Sequence, residues 1–209
     1  PFTLAERFFI AQPREVPKRL KVDLPQITKP IIVKKTLPVE TSYLVQGYQT
    51  VNSTNTDSEA LGVISEILNS NEKLSLFEVI REKNGLTYHA HADSHNSSLT
   101  GLFDIELSVK KEHIEQTKQL ILDQIKKMET IKQKDLNEAK RKMLKEFKRN
   151  QQTPEFLSRI IMDCEITKSW DEYEHQKERI NAVTREDVKR VTKQYLGENY
   201  VLAIIEQSN

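Results

Sequence analysis

The run Leu76-Phe77-Glu78-Val79-Ile80-Arg81-Glu82-Lys83-Asn84-Gly85-Leu86-Thr87-Tyr88 joins a helical pattern to an extended one, and the class of fold is read from that join. Phe77 and Ile80 share one face at helical spacing, which predicts a helix over about Leu74–Lys83. Asn84-Gly85 then supplies the left-handed residue on which helices commonly end. Beyond it, Leu86–Ser94 and Leu99–Val109 alternate, and Asn96-Ser97 between them is turn chemistry, so the pair reads as an antiparallel hairpin. The second strand sets Phe103, Ile105, Leu107 and Val109 on one face and Asp104, Glu106 and Ser108 on the other, so one face packs and one meets water.

Upstream, Ser42–Thr50 is rich in β-formers and predicts a strand. Thr56 and Glu59 have the spacing of a capping box ahead of the apolar stripe Ala60, Leu61, Ile64, Ile67 and Leu68. Downstream the chain is helical almost to its end. One stripe is Ile114, Thr117, Ile121, Ile125 and Met128, and another is Leu136, Ala139, Met143 and Phe147. Thr153-Pro154 predicts a helix start, with Leu157, Ile160, Ile161 and Cys164 as its buried side. Trp170–Ile180 and a Thr184-capped helix carrying Val188 and Val191 follow, and Tyr200–Ile205 reads as a last strand. Strands and helices mix without βαβ alternation and without an internal repeat. The class is α+β, an antiparallel or mixed sheet with helices packed on one side.

Across the 209 residues, 37% are hydrophobic, 30% charged and 7% aromatic, which excludes collagen, low-complexity disorder and a disulfide scaffold. Lys+Arg 32 against Asp+Glu 31 is too balanced for a surface devoted to phosphate, and no nucleic acid is expected as a partner. The lone Cys164 allows no intrachain disulfide, and a reducing, cytoplasmic setting is the expectation. No run is long and apolar enough for a membrane span, and no membrane partner is expected. Six of the seven prolines fall within residues 1–38, where eight basic side chains stand against three acidic ones. That stretch reads as a basic arm or linker, residues 39–209 as a single domain, and the start at Pro1 as the sign of a fragment or one half of a longer chain.

Thr87, His89, His91, Asp93 and His95 would share one face of an extended strand, and a His-x-His pair can hold zinc. The cluster runs into its own turn at Asn96, so no metal ligand is assigned in this chain. H-x-x-E-H, H-E-x-x-H, the G-x-S-x-G elbow and phosphate-cradling glycine loops are all missing from the sequence. Lys140, Arg141, Lys142, Lys145, Lys148 and Arg149 form a basic run without interleaved aromatics, which suits the outer face of a helix better than a nucleic-acid groove. Cys164 lies in an apolar stripe and reads as packing.

The opening stretch, Leu76 to Tyr88, closely resembles the L-F-x-x-[IL]-R-E-K-x-G-L-x-Y segment of the pitrilysin/insulinase family of zinc metallopeptidases, which includes the mitochondrial processing peptidase. The helix at Asp57–Asn69 and the segment Val183-Thr184-Arg185-Glu186-Asp187-Val188 with Tyr195-Leu196 agree with it, so the likeness covers about Thr41–Ile205. Two places depart: Asn69-Ser70-Asn71-Glu72-Lys73 replaces a glycine-and-serine-rich loop, and His89 and His91 replace small residues after Tyr88.

The resemblance implies a clamshell half, the zinc-free partner of an H-x-x-E-H half that holds the metal. By it, Arg81 and Tyr88 are the catalytic and substrate-binding residues, reaching the peptide backbone near the scissile bond. No cofactor is expected in this chain, and zinc is expected in the other half. That half would be fused upstream or supplied as a separate chain; a homodimer stays open. The alternative is a scaffold subunit of the same fold without proteolysis.

Overall fold

The computed structural model of the chain describes residues 23–70, 73–167 and 170–208. Five strands form one sheet: β1 (Ile31–Leu37), β2 (Ser42–Thr50), β3 (Ala90–Asn96), β4 (Gly101–Val109) and β5 (Val201–Gln207), in the order β1-β5-β2-β4-β3. β1 runs parallel to β5, and every other neighbour is antiparallel. The helices are α1 (Asp57–Leu68), α2 (Ile114–Lys127), α3 (Gln133–Asn150), α4 (Pro154–Thr167), α5 (Trp170–Glu174), α6 (Gln176–Ala182) and α7 (Arg185–Tyr195). A short π-helical segment, Phe77–Glu82, lies between α1 and β3. The α+β class with a mixed sheet is thus the observed one.

Alternation decides which face packs. Leu44 and Tyr48 of β2, Phe103 and Ile105 of β4, Ala92 of β3 and Leu202 of β5 are buried on one side. Against them lie Leu61, Ile64 and Leu68 of α1 and Val188 and Val191 of α7. Each fully buried side chain of that size contributes about 1.5–3 kcal/mol. Tyr48 stacks edge-on against Tyr200 at 5.9 Å, and Gln46 donates a short hydrogen bond to its hydroxyl. The other sheet face leaves Tyr43, Val45, Leu102 and Ile205 exposed.

Several expectations change on contact with the fold. Ile31–Leu37, read from its prolines as arm, is an edge strand. Pro30 and Pro38 flank it, so neither removes a ladder donor. Residues 1–22 of that arm lie outside the described residues. The Thr56/Glu59 box is not formed: Asn55 Oδ1 accepts from the Asp57 N–H at 2.8 Å, while Glu59 pairs with Arg179 at 2.9 Å. The Thr184 box is formed, with Asp187 Oδ2 accepting from the Thr184 N–H at 2.9 Å.

The hairpin turns at Ser97, whose N–H donates to Thr100 C=O at 2.8 Å, but β3 starts only at Ala90 because residues 86–89 are irregular. The Trp170–Ile180 helix is two, broken at His175. On α4 Cys164 is buried, whereas Leu157 and Ile161 are exposed at 40% and 52%: few of the described elements pack against that helix. Among the described residues no helix is long and apolar enough to cross a membrane.

Candidate peptide-contact site

Leu76, Val79 and Ile80 are buried, and they anchor the π-helical segment to the core. Ser75 Oγ accepts from the Glu78 N–H at 3.0 Å and starts the segment. The wide turn is marked by the Lys83 N–H donating to Glu78 C=O at 3.0 Å, five residues back. Gly85 ends it at φ +62°, a value that costs a residue with a Cβ about 1–2 kcal/mol. Its N–H donates to Arg81 C=O at 2.7 Å, Leu86 N–H to Ile80 C=O at 3.0 Å, and Asn84 Nδ2 to Val79 C=O at 2.7 Å. The exit expected from Asn84-Gly85 is therefore the one formed.

Beyond the turn, the buried Thr87 hydroxyl lies 2.7 Å from the carbonyl oxygens of both His89 and Ser108 and accepts the His89 N–H at 3.1 Å. With Thr87 held inward against β4, its neighbour Tyr88 is turned out and is 88% exposed. Arg81 keeps 42% of its side chain exposed. Its guanidinium lies 4.8 Å above the Phe77 ring, one helical turn back, and its Nε is 3.7 Å from Glu82. The structure thus brings Arg81 and Tyr88 to the two sides of one chain reversal. It forms no hydrogen bond, ion pair or ring contact between them. The cleft of about 340 Å³ between α1 and α3, lined by Glu66, Ile67, Ser70, Leu74, Ala139 and Lys142, contains neither.

The histidine run divides. His89 and His91 stack at 6.0 Å, while His95 lies 3.5 Å from both Asp93 and Asp104, and His91 3.9 Å from Asp93. Asp93 stands directly opposite Asp104 in the ladder. Burial pushes the Asp104 carboxyl above the usual carboxylate range, against the pull of His95, and Asp93 and Glu106 add to the rise. Among the described residues no group of three or more His, Cys, Asp or Glu side chains is arranged to hold a metal ion. Three of the six basic side chains of the run on α3 are engaged at the surface. Lys142 pairs with Glu66, Arg149 with Glu146 at 2.8 Å, and Lys140 donates to Asn181 C=O at 2.7 Å.

Two contributors had no sequence signal. Ser65 and Asn69 of the α1 end hold β3 by its outer edge: Asn69 Oδ1 accepts the Ala92 N–H at 2.8 Å, and Asn69 Nδ2 and Ser65 Oγ donate to the Ala92 C=O at 2.7 and 3.0 Å. Asp57, Arg190 and Tyr195 form a second network, with Arg190 Nη2 donating to Asp57 at 2.6 Å and the Tyr195 hydroxyl at 3.0 Å. The Arg190 bond holds the Asp57 carboxyl below the usual range. Both networks join residues far apart in the chain, beyond the reach of local pattern.

The fold is a mixed five-stranded sheet with its helices on one side, and it carries the R-E-K-x-G-L-x-Y reversal between helix and strand. The sequence profile of the peptidase M16 inactive domain matches residues 2–143, and the chain belongs to that family. A protease from Helicobacter pylori superposes with a TM-score of 0.82 at 17% identity, covering 98% of this chain and 52% of that one. A peptidase M16 inactive domain from Pseudomonas fluorescens gives 0.79 at 21% identity over 93% and 48%. The inactive peptidase domain of a putative zinc protease from Bordetella parapertussis gives 0.68 at 16%, over 78% of this chain and 91% of that one. The chain spans about half the length of the first two. No curated relative matches it.

Proposed function

We propose that this chain is the metal-free half of a pitrilysin/insulinase-type peptidase and supplies Arg81 and Tyr88 to a peptide held against an H-x-x-E-H half. The observation that carries this reading is Tyr88: a phenol 88% exposed, turned out by the Thr87 anchor, at the reversal that also carries Arg81. Among the described residues no hydrogen bond, ion pair or ring contact engages that ring. A guanidinium and a phenol are both hydrogen-bond donors suited to a scissile carbonyl, whose oxygen gains negative charge as the tetrahedral intermediate forms. Arg81 adds a fixed positive charge, and Tyr88 a neutral donor with few rotatable bonds. The metal and the attacking water belong to the partner half, so this chain alone cleaves nothing.

The test is steady-state peptide hydrolysis by the intact protein assembled with its zinc-bearing half. Arg81→Ala and Tyr88→Phe are each expected to lower kcat by about 10²–10³ with an unchanged melting midpoint. Full turnover in both variants would remove the two residues from the mechanism. An assembled wild-type pair that hydrolyses no peptide would instead favour the scaffold reading of the same fold.

A further inference from the structure

We infer that the outer edge of β1 is a strand-addition surface for an extended, carboxylate-bearing segment of a partner polypeptide. The inference stands apart from the peptidase reading, because it rests on a different edge of the sheet from the one that follows Tyr88.

A sheet has two edges, and here they are built differently. On β3 the middle of the outward backbone is occupied: Ala92 by Asn69 and Ser65, and the Ser94 N–H by Asp93 Oδ1 at 2.9 Å. On β1 the residues that face β5 are the odd-numbered ones, as Ile31 N–H donates to Tyr200 C=O at 2.9 Å and Ser208 N–H to Leu37 C=O at 2.9 Å. Ile32, Lys34 and Thr36 therefore point their N–H and C=O groups outward, and no partner takes them among the described residues. Such a row is the template on which an added strand forms its ladder.

Side chains on both faces of β1 agree. Ile32 is 53% exposed on the helix side and Val33 56% on the other, so a strand laid alongside would cover apolar surface on both faces. Charge narrows the occupant. Lys34 is committed to Glu206, while Lys35 is exposed on the open face with no partner among the described residues. Antiparallel pairing of two copies of β1 about their centre would set lysine near lysine, the device by which edges resist self-association. A carboxylate side chain opposite Lys35 turns the same charge into an attraction.

The test titrates the intact protein into a fluorescein-labelled, acetylated heptapeptide of alternating valine and glutamate, read by anisotropy. Saturable binding below about 1 mM is expected. Methylating alternate peptide nitrogens in one register should abolish it, and in the other leave it, because only one set of amides faces β1. Ile32→Pro deletes an outward donor without touching the ladder to β5 and should weaken binding about tenfold at constant melting midpoint. Should that variant fold poorly, Lys35→Glu decides: the acidic peptide should weaken about threefold and a lysine-substituted peptide gain. Three results would overturn the inference: no binding, binding indifferent to methyl register and to Lys35→Glu, or dimerisation of the protein through β1 in light scattering.

Discussion

The two edges of the sheet differ in what holds them, and the difference shows how one chain both closes and exposes a β-edge. β3 runs between β4 and the end of α1, whose Asn69 and Ser65 act as an artificial strand for Ala92. Among the described residues β1 pairs with β5 alone, and none lies along its other side. Residues in α1 and β3 contact one another repeatedly through the buried face of the helix, so the polar end of α1 arrives at the edge already positioned. Nothing described performs that service for β1. Closing an edge thus needs only two polar side chains, provided that a packed helix delivers them.

The largest expected effect breaks the closed side. Gly101 opens β4 opposite Asn96 and Thr50, and a Cβ built there would lie 2.1 Å from Val51 C=O and 2.5 Å from Thr50 Oγ1. Backbone leaves no flexible neighbour to yield, so Gly101→Ala should destabilise by about 3 kcal/mol in urea unfolding. Amide exchange should rise across Ala90–Asn96 before Ile31–Leu37; the reverse order would mean that β1 is the weaker attachment.

Next comes the cap itself. Asn69→Ala leaves the Ala92 N–H without its acceptor and its C=O with Ser65 alone, a loss of about 2 kcal/mol. Exchange of the Ala92 amide should then approach that of the outward amides of β1. An unchanged Ala92 rate would show that water or β4 already protects it.

The smallest effect sharpens the comparison by charge. Asp93 and Asp104 face each other across the β3 ladder, and the folded carboxyl of Asp104 is raised by burial. Its ionised form therefore weakens the fold at pH above the folded value. That penalty is relieved as pH falls through the folded value toward 3.8, because the folded state protonates first. Asp104→Asn should stabilise by about 0.5 kcal/mol at neutral pH and flatten this part of the stability profile. A destabilised variant would assign the His95 contact, at 3.5 Å, the larger share.

Much of the fold was legible from single elements. Ser42–Thr50 alternates and is β2 to the residue, the Ile114-to-Met128 stripe is buried throughout, and Asn84-Gly85 ends its helix at positive φ. The Thr56 cap failed because Asn55 and Arg179, the latter from α6, offered Asp57 and Glu59 better partners than Thr56 did. On α4, helical periodicity marked as buried a face that is covered at Cys164 but exposed at Leu157 and Ile161, since period reports which residues share a side and not how much packs there. At the candidate site, Arg81 and Tyr88 were legible as residues of a family segment, and the Thr87 anchor that turns Tyr88 outward was not.

By itself the sequence determined the local alphabet: helix and strand periods, the one glycine that must turn left-handed, and a near-balanced formal charge. These follow from spacing and steric rules within a few residues. Tertiary structure alone decided that Ile31–Leu37 joins the sheet in parallel with its last strand, that Asn69 holds Ala92 at one edge, and that no described residue does the same for the other. Those outcomes depend on hydrogen-bond partners many residues away, which compete on geometry that no local pattern encodes.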